Sequence, residues 1–313
     1  MNSFPTLQTI LKPMKKLLVT GAGGFLGWNI CMAARTRYEV TGLRFTHNIA
    51  IEGLSFRRVD ITEADELERL FREVRPHAVI HAAAASDPNY CERHPLESAR
   101  INVDAPRHIA RLCAESGARC AFTSTDLVFD GENPPYSEGM EPRPISVYGR
   151  QKLEAEQRMR DVYPNVLICR MPLMFGDAPA GAKSFIQPMM ESLLNGKELG
   201  LFIDEFRTPV AASDAARGIL SLLENLTGLI HLGGKVRISR YDFGLLLSEC
   251  LGILNPPLKR VARKDIVMSA PRPADVSLDS SKACKLGYSP EGPMEALRRL
   301  QCVKSSVFSL PTA

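Results

Sequence analysis

The chain has one tryptophan, seven tyrosines and no long run of lysine and arginine, so it lacks the stacking platform and the basic stripe that hold nucleic acid. A net charge of +4 spread over 313 residues adds nothing to that case, and no nucleic-acid partner is expected. No apolar run approaches the roughly 20 residues needed to cross a bilayer, so no membrane is expected either. Residues 1–13 lack the charged start and cleavage site of a signal peptide; with Met14 directly ahead of a strand pattern, they read as a disordered leader. The eight cysteines are scattered, with no C-x-x-C and no metal-type spacing. Buried thiols in a reducing cytosol follow, hence a cytoplasmic location and no metal site.

What is present is an ordinary globular composition, 45% hydrophobic and 24% charged, and a glycine-spaced turn. Leu17, Leu18 and Val19 have the short apolar run of a strand buried on both faces. Gly21, Gly24 and Gly27 follow at three-residue spacing, and Phe25, Leu26, Trp28 and Ile30 continue as a helix. Glycines so placed permit a tight turn, close approach to a pyrophosphate and close helix packing. The helix N-terminus then favours negative charge. An ordinary strand-to-helix turn is the alternative reading of the segment alone.

Further strand patterns cover Tyr38 to Leu43, Phe56 to Ile61, His77 to Ala85, residues 118–129 and Val166 to Phe175. Helical patterns fall between them: Thr62-x-x-Asp65 reads as a capping box ahead of Leu67, Leu70, Phe71 and Val74, with Pro76 as the stop. Another helix spans Glu97 to Ser116, with Asn102 inside it, and one begins at Val147. Phe185 to Leu194 reads as a later helix, and Leu229 to Gly234 as a further strand. This alternation predicts an α/β fold, a doubly wound parallel sheet of Rossmann type with a smaller C-terminal α/β lobe. The dinucleotide-binding part covers 14–175 with return segments near 205–234, the substrate lobe covers 176–204 and 235–305, and 306–313 form a tail.

Ligands in such sheets lie beyond the carboxyl ends of the strands, where the informative residues fall. Arg44 stands at the place where an acid would take a ribose 2′-hydroxyl and an arginine a 2′-phosphate. It argues for NADP, with NAD as the alternative and a plain surface arginine as the bland reading. Asp60 ends the third strand, where it could meet an adenine amine. The alanines after His81 would admit a cofactor; His81 itself reads as a core histidine. The fifth strand ends in Thr123, Ser124, Thr125 and Asp126. Tyr148 and Lys152, four apart, share one helix face. The ammonium would lower the phenol, and Tyr148 would exchange the proton of a carbonyl oxygen during hydride transfer. A hydroxyl from Thr125, with Ser124 beside it, would hold the same oxygen.

Through TGAGGFLG, HAAAA, INVDAP, the hydroxyl-tipped strand and YGRQK, the sequence resembles the extended short-chain dehydrogenase/reductases. STDLVFDG at 124–131, NYCERHPLESARINVDAP at 89–106 and RPADVSLDSSK at 272–282 resemble the branch that holds dTDP-4-dehydrorhamnose reductase and the regulatory β subunit of methionine adenosyltransferase. The likeness runs from residue 15 to about 300. It implies catalytic roles for Thr125, Tyr148 and Lys152, with Lys152 also holding the ribose. It implies cofactor contacts for Gly21, Gly24, Phe25, Leu26, Asp60, Ile61, Ala82, Ala83 and Asn102, and for the backbone near Pro172 and Leu173. The far lobe would cover a nucleotide-linked sugar, with Arg207 and Arg272 as candidates for its phosphates and structural ion pairs as their alternative. Asp275 and Asp279 would organise their loop. SDPNYCE departs from the rhamnose-pathway pattern, which leaves the sugar open. The expectation is NADP-dependent reduction of a nucleotide-linked 4-keto sugar; a non-catalytic regulatory subunit and an NAD-dependent epimerase or dehydratase are the alternatives. A homodimer stays open.

Overall fold

In the computed structural model, which describes residues 13–46, 49–182 and 184–308, one parallel sheet organises the chain. Residues 1–12 of the expected leader and 309–313 of the expected tail lie outside the described residues. The sheet strands are β1 (Lys15–Thr20), β2 (Tyr38–Arg44), β3 (Ser55–Arg58), β4 (Ala78–His81), β5 (Arg119–Thr125), β6 (Leu167–Met171) and β7 (Gly228–His231). Their spatial order is β7-β6-β5-β4-β1-β2-β3. Leu17 therefore has Val40 on one side and Ala78 on the other. The order reverses at β1, and the crevice of a doubly wound sheet opens there, between β1 and β4.

Helices cover both faces because alternate strand residues are apolar on both. Leu17 and Val19 pack with Ile30 of α1 (Phe25–Ala34) and Ile219 of a helix over Ala212–Leu222. Leu18 and Val79 pack with Leu67 of α2 (Ala64–Val74), Ile109 of α3 (Ala105–Ser116) and Met159 of α4 (Val147–Val162). A separate apolar core gathers Ile186, Met189 and Leu193 against Phe243, Leu247 and Leu297. It lies under a two-stranded parallel pairing of Leu199–Phe202 with Leu258–Val261.

Several strand ends differ from the sequence reading, each for a local reason. The third strand stops at Arg58, and Asp60 lies in the turn beyond it. There Asp60 Oδ1 accepts from the N–H and hydroxyl of Thr62, at 2.9 and 2.8 Å. That competition removes Thr62 as a cap: α2 starts at Ala64 behind Glu63, with no side-chain cap bond. The fourth strand stops at His81 because the amides of Ala82 and Ala83 donate to Thr20 Oγ1, at 3.2 and 3.1 Å, instead of joining a ladder. The expected sixth strand breaks at Pro172, which has no N–H to give; Met174–Phe175 pairs with Val210–Ala211 instead. The long helix through Asn102 contains a π-turn over Arg100–Asp104, where Pro106 cannot donate back to residue 102.

Candidate active site

A cavity of about 670 Å³ opens at the carboxyl ends of β1, β2, β4 and β5. The glycine turn forms its floor. Gly21 has φ of +67°, and a Cβ there would stand 2.7 Å from the amide nitrogen of Ala83. A Cβ on Gly27 would stand 2.1 Å from the carbonyl oxygen of Gly21, so the third glycine seats α1 on the turn itself. Gly24 caps α1 with no side-chain bond, which leaves first-turn N–H groups to face an anion. This is a cradle that side chains would fill and a diphosphate fits.

Of the expected cofactor contacts, Gly21, Gly24, Phe25, Leu26, Arg44, Asp60, Ile61, Ala82 and Ala83 line this cavity. Ser124, Tyr148 and Lys152 line it as well, so the glycine cradle and the Tyr-Lys pair share one space. Asn102 does not line it. Its buried amide accepts from Ala85 N at 2.9 Å and donates to Gln151 Oε1 at 2.9 Å, tying the segment after β4 to α4. Pro172 and Leu173 are also off the wall, which Met171 and Met174 form instead; the Leu173 carbonyl is taken by Val210 N–H.

Ser146 caps α4, accepting from Gly149 N at 3.1 Å, and so sets Tyr148 and Lys152 on the first turns. Burial pushes the Tyr148 phenol up, with Cys91 and Asp126 adding to it, while a hydrogen bond from Thr125 and the charge of Arg207 draw it down. The phenol therefore stays protonated near neutrality, the form a proton donor needs. Burial brings Lys152 down to about 7, against the pull of Glu156 and Cys91. Its Nζ lies 3.9 Å from the centroid of the Phe122 ring. Thr125 and Arg207, rather than the expected ammonium, are thus the groups that favour the phenolate. The Thr125 hydroxyl also reaches Asp126 Oδ1 at 3.3 Å and accepts from Leu127 N at 3.2 Å.

Two residues were missed from sequence. Glu156 and Arg170 are buried together: Arg170 donates to Glu156 Oε1 at 3.0 Å and to Oε2 at 2.7 Å. Ser124 also donates to Glu156 Oε1, at 2.5 Å, so its lone pairs, not its proton, face the cavity. The available signal was an arginine inside the apolar run VLICRM and a glutamate one turn beyond Lys152. His81 is the core histidine expected: buried, 2.6 Å from Thr20 Oγ1, and brought down to about 3 by burial and by Lys152.

The arginines expected at substrate phosphates divide. Arg207 is 5% exposed, and its Nη1 donates to both oxygens of Asp126, at 2.7 and 2.8 Å. It is therefore the structural ion pair of the two readings. Arg272 lines a second cavity, about 570 Å³, with Arg263, Lys264 and Asp204, and lies 3.6 Å from Glu205 Oε2. Burial pushes the Glu205 carboxyl up, but Arg207, Arg240 and Arg272 outweigh it and hold it below its ordinary value. Asp275 and Asp279 brace their loop, accepting from Ser277 N and Ser281 N at 3.0 and 2.8 Å.

Comparison with known proteins bears on the family and the fold. Methionine adenosyltransferase 2 subunit beta of Bos taurus is 26% identical over 289 residues, 90% of this chain and 85% of that protein. The crystal structure of a hypothetical dTDP-4-dehydrorhamnose reductase from Sulfolobus tokodaii is 35% identical with a TM-score of 0.74, over 86% of this chain and 94% of that one. The dTDP-4-dehydrorhamnose reductase of Bacillus anthracis, solved in complex with NADP, superposes with a TM-score of 0.82 over 92% and 98%. At 23% identity that likeness speaks for the fold. The family model described as RmlD substrate binding domain matches residues 14–300. The chain, whose sheet, glycine cradle and Tyr-Lys helix stand in one cavity, belongs to the RmlD substrate-binding-domain family.

Proposed function

We propose that the chain is an NADP-preferring reductase of a nucleotide-linked 4-keto sugar. One observation carries this reading: the glycine cradle, Arg44, Tyr148 and Lys152 face a single cavity. A dinucleotide, when bound, supplies the hydride. Gly21, Gly24 and the α1 N-terminus hold its diphosphate, Arg44 its 2′-phosphate and Lys152 a ribose hydroxyl. Tyr148, protonated through burial, gives its proton to the carbonyl oxygen of the sugar, and Thr125 orients that oxygen through the phenol it bonds. Ser124, with its proton committed to Glu156, accepts from a sugar hydroxyl. The sheet, over 14–175 and the returning segment near 205–234, carries the cofactor; the lobe over 176–204 and 235–305 carries the sugar nucleotide. Arg272, with Arg263 and Lys264, offers the substrate diphosphate a basic wall.

The similarity to a methionine adenosyltransferase subunit favours a second reading, a nucleotide-binding regulatory subunit. A panel of 4-keto nucleotide sugars, scored by NADPH oxidation, separates the two. Turnover of at least one sugar is expected, and Tyr148→Phe should reduce it by about 10²–10⁴-fold, the scale of a lost general acid, with dinucleotide affinity within twofold. NADPH binding without turnover on any sugar would leave the regulatory reading standing.

A further inference from the structure

We propose that Arg58 is a second holder of the 2′-phosphate and, with Arg44, sets the preference for NADP over NAD; the inference rests on the dinucleotide reading above. Arg44 and Arg58 are direct register partners at the ends of β2 and β3, so their backbones run about 4.8 Å apart and their side chains leave the same face. That face is the one on which a Cβ at Gly42 would press into the Phe56 ring. The neighbouring Arg57, on the opposite face, is already spoken for by Glu73 at 3.4 Å.

Neither Arg44 nor Arg58 has a carboxylate within ion-pair distance among the described residues, and Arg44 Nε is buried with no hydrogen-bond partner. Two like charges one strand apart repel, and an ionised 2′-phosphate offsets both at once with three acceptor oxygens. A ribose hydroxyl offsets neither. Phe45, 53% exposed, lines the cavity mouth, and the Arg58 guanidinium stands 5.8 Å from its ring centroid. This contact sets the exposed arginine beside the ring that lines the mouth, next to the cavity wall that Val59 and Asp60 continue. The same ring offers a flat face for adenine, so the base and the phosphate beside it are gripped by adjacent residues.

The experiment is a set of binding titrations of NADPH, NADH, 2′,5′-ADP and 5′-AMP against wild-type protein, Arg58→Ser, Arg58→Lys and Arg44→Ser. Arg58 is exposed at the edge of the sheet, and an unchanged melting midpoint checks that each variant folds. Arg58→Ser should weaken NADPH and 2′,5′-ADP about tenfold, the scale of one charge-assisted hydrogen bond, with NADH and 5′-AMP within twofold. Arg58→Lys should recover most of the loss, because a phosphate also accepts a point charge. Unchanged NADPH affinity in Arg58→Ser, or equal weakening of NADPH and NADH, overturns the role of Arg58 while the dinucleotide reading stands. Wild-type protein that binds neither dinucleotide overturns both.

Discussion

Lys152 is the side chain whose environment departs most usefully from its intrinsic chemistry. Its ordinary value of 10.5 is brought down to about 7 by burial. Between those values the unfolded chain binds one proton more than the folded chain, so stability rises with pH across the window. The penalty is fully present below about 7 and is relieved toward 10.5, at up to about 1.4 kcal/mol per pH unit. Unfolding free energy of the ligand-free protein, followed from pH 6.5 to 9, should climb, and Lys152→Met should flatten the climb. An unaltered slope in that variant would assign the titration to another group. The Tyr-Lys spacing was legible because helical periodicity is local. The direction of the electrostatics was not: burial, a tertiary property, lowers the lysine and raises the phenol.

At the scale of elements, α4 is anchored to the sheet by charge as well as by apolar packing. Glu156 joins it to β5 through Ser124 and to β6 through Arg170, one turn beyond Lys152. The pair is buried on both sides, 0% and 2% exposed, so breaking it leaves an uncompensated ion. Glu156→Gln or Arg170→Met alone should cost about 3–5 kcal/mol in denaturant unfolding, and the double variant should recover most of that. Additive losses would mean that the two residues act independently. The elements themselves were readable from apolar runs and helical spacing, but their ends were not. Thr20, Asp60 and Thr125 each redirect a backbone amide with a side-chain oxygen, and such a bond is visible only when its partner is in place.

Across the whole molecule, the turn just past the strand that ends in the site hydroxyls and the two-residue strand Phe206–Arg207 meet at Asp126 and Arg207, 81 residues apart in sequence. Glu205, Arg240 and Arg272 extend that charge chain to the second cavity. Arg207→Met should lower stability by about 3–5 kcal/mol, since it strands a carboxylate that burial already pushes up. NADPH affinity, titrated on the same variant, should change less than twofold; a parallel loss in both would move Arg207 to the cofactor. Taken alone, the sequence determined the alternation of strand and helix, the glycine cradle and the face shared by Tyr148 and Lys152, because backbone sterics and side-chain period act over a few residues. Only the tertiary structure decided that Arg207 is a buried partner rather than a phosphate ligand, that Asn102 braces α4 rather than lining the cavity, and that Arg58 stands beside Arg44. Each of those depends on which distant segment supplies the neighbouring charge or carbonyl, and strand order, not local sequence, fixes that.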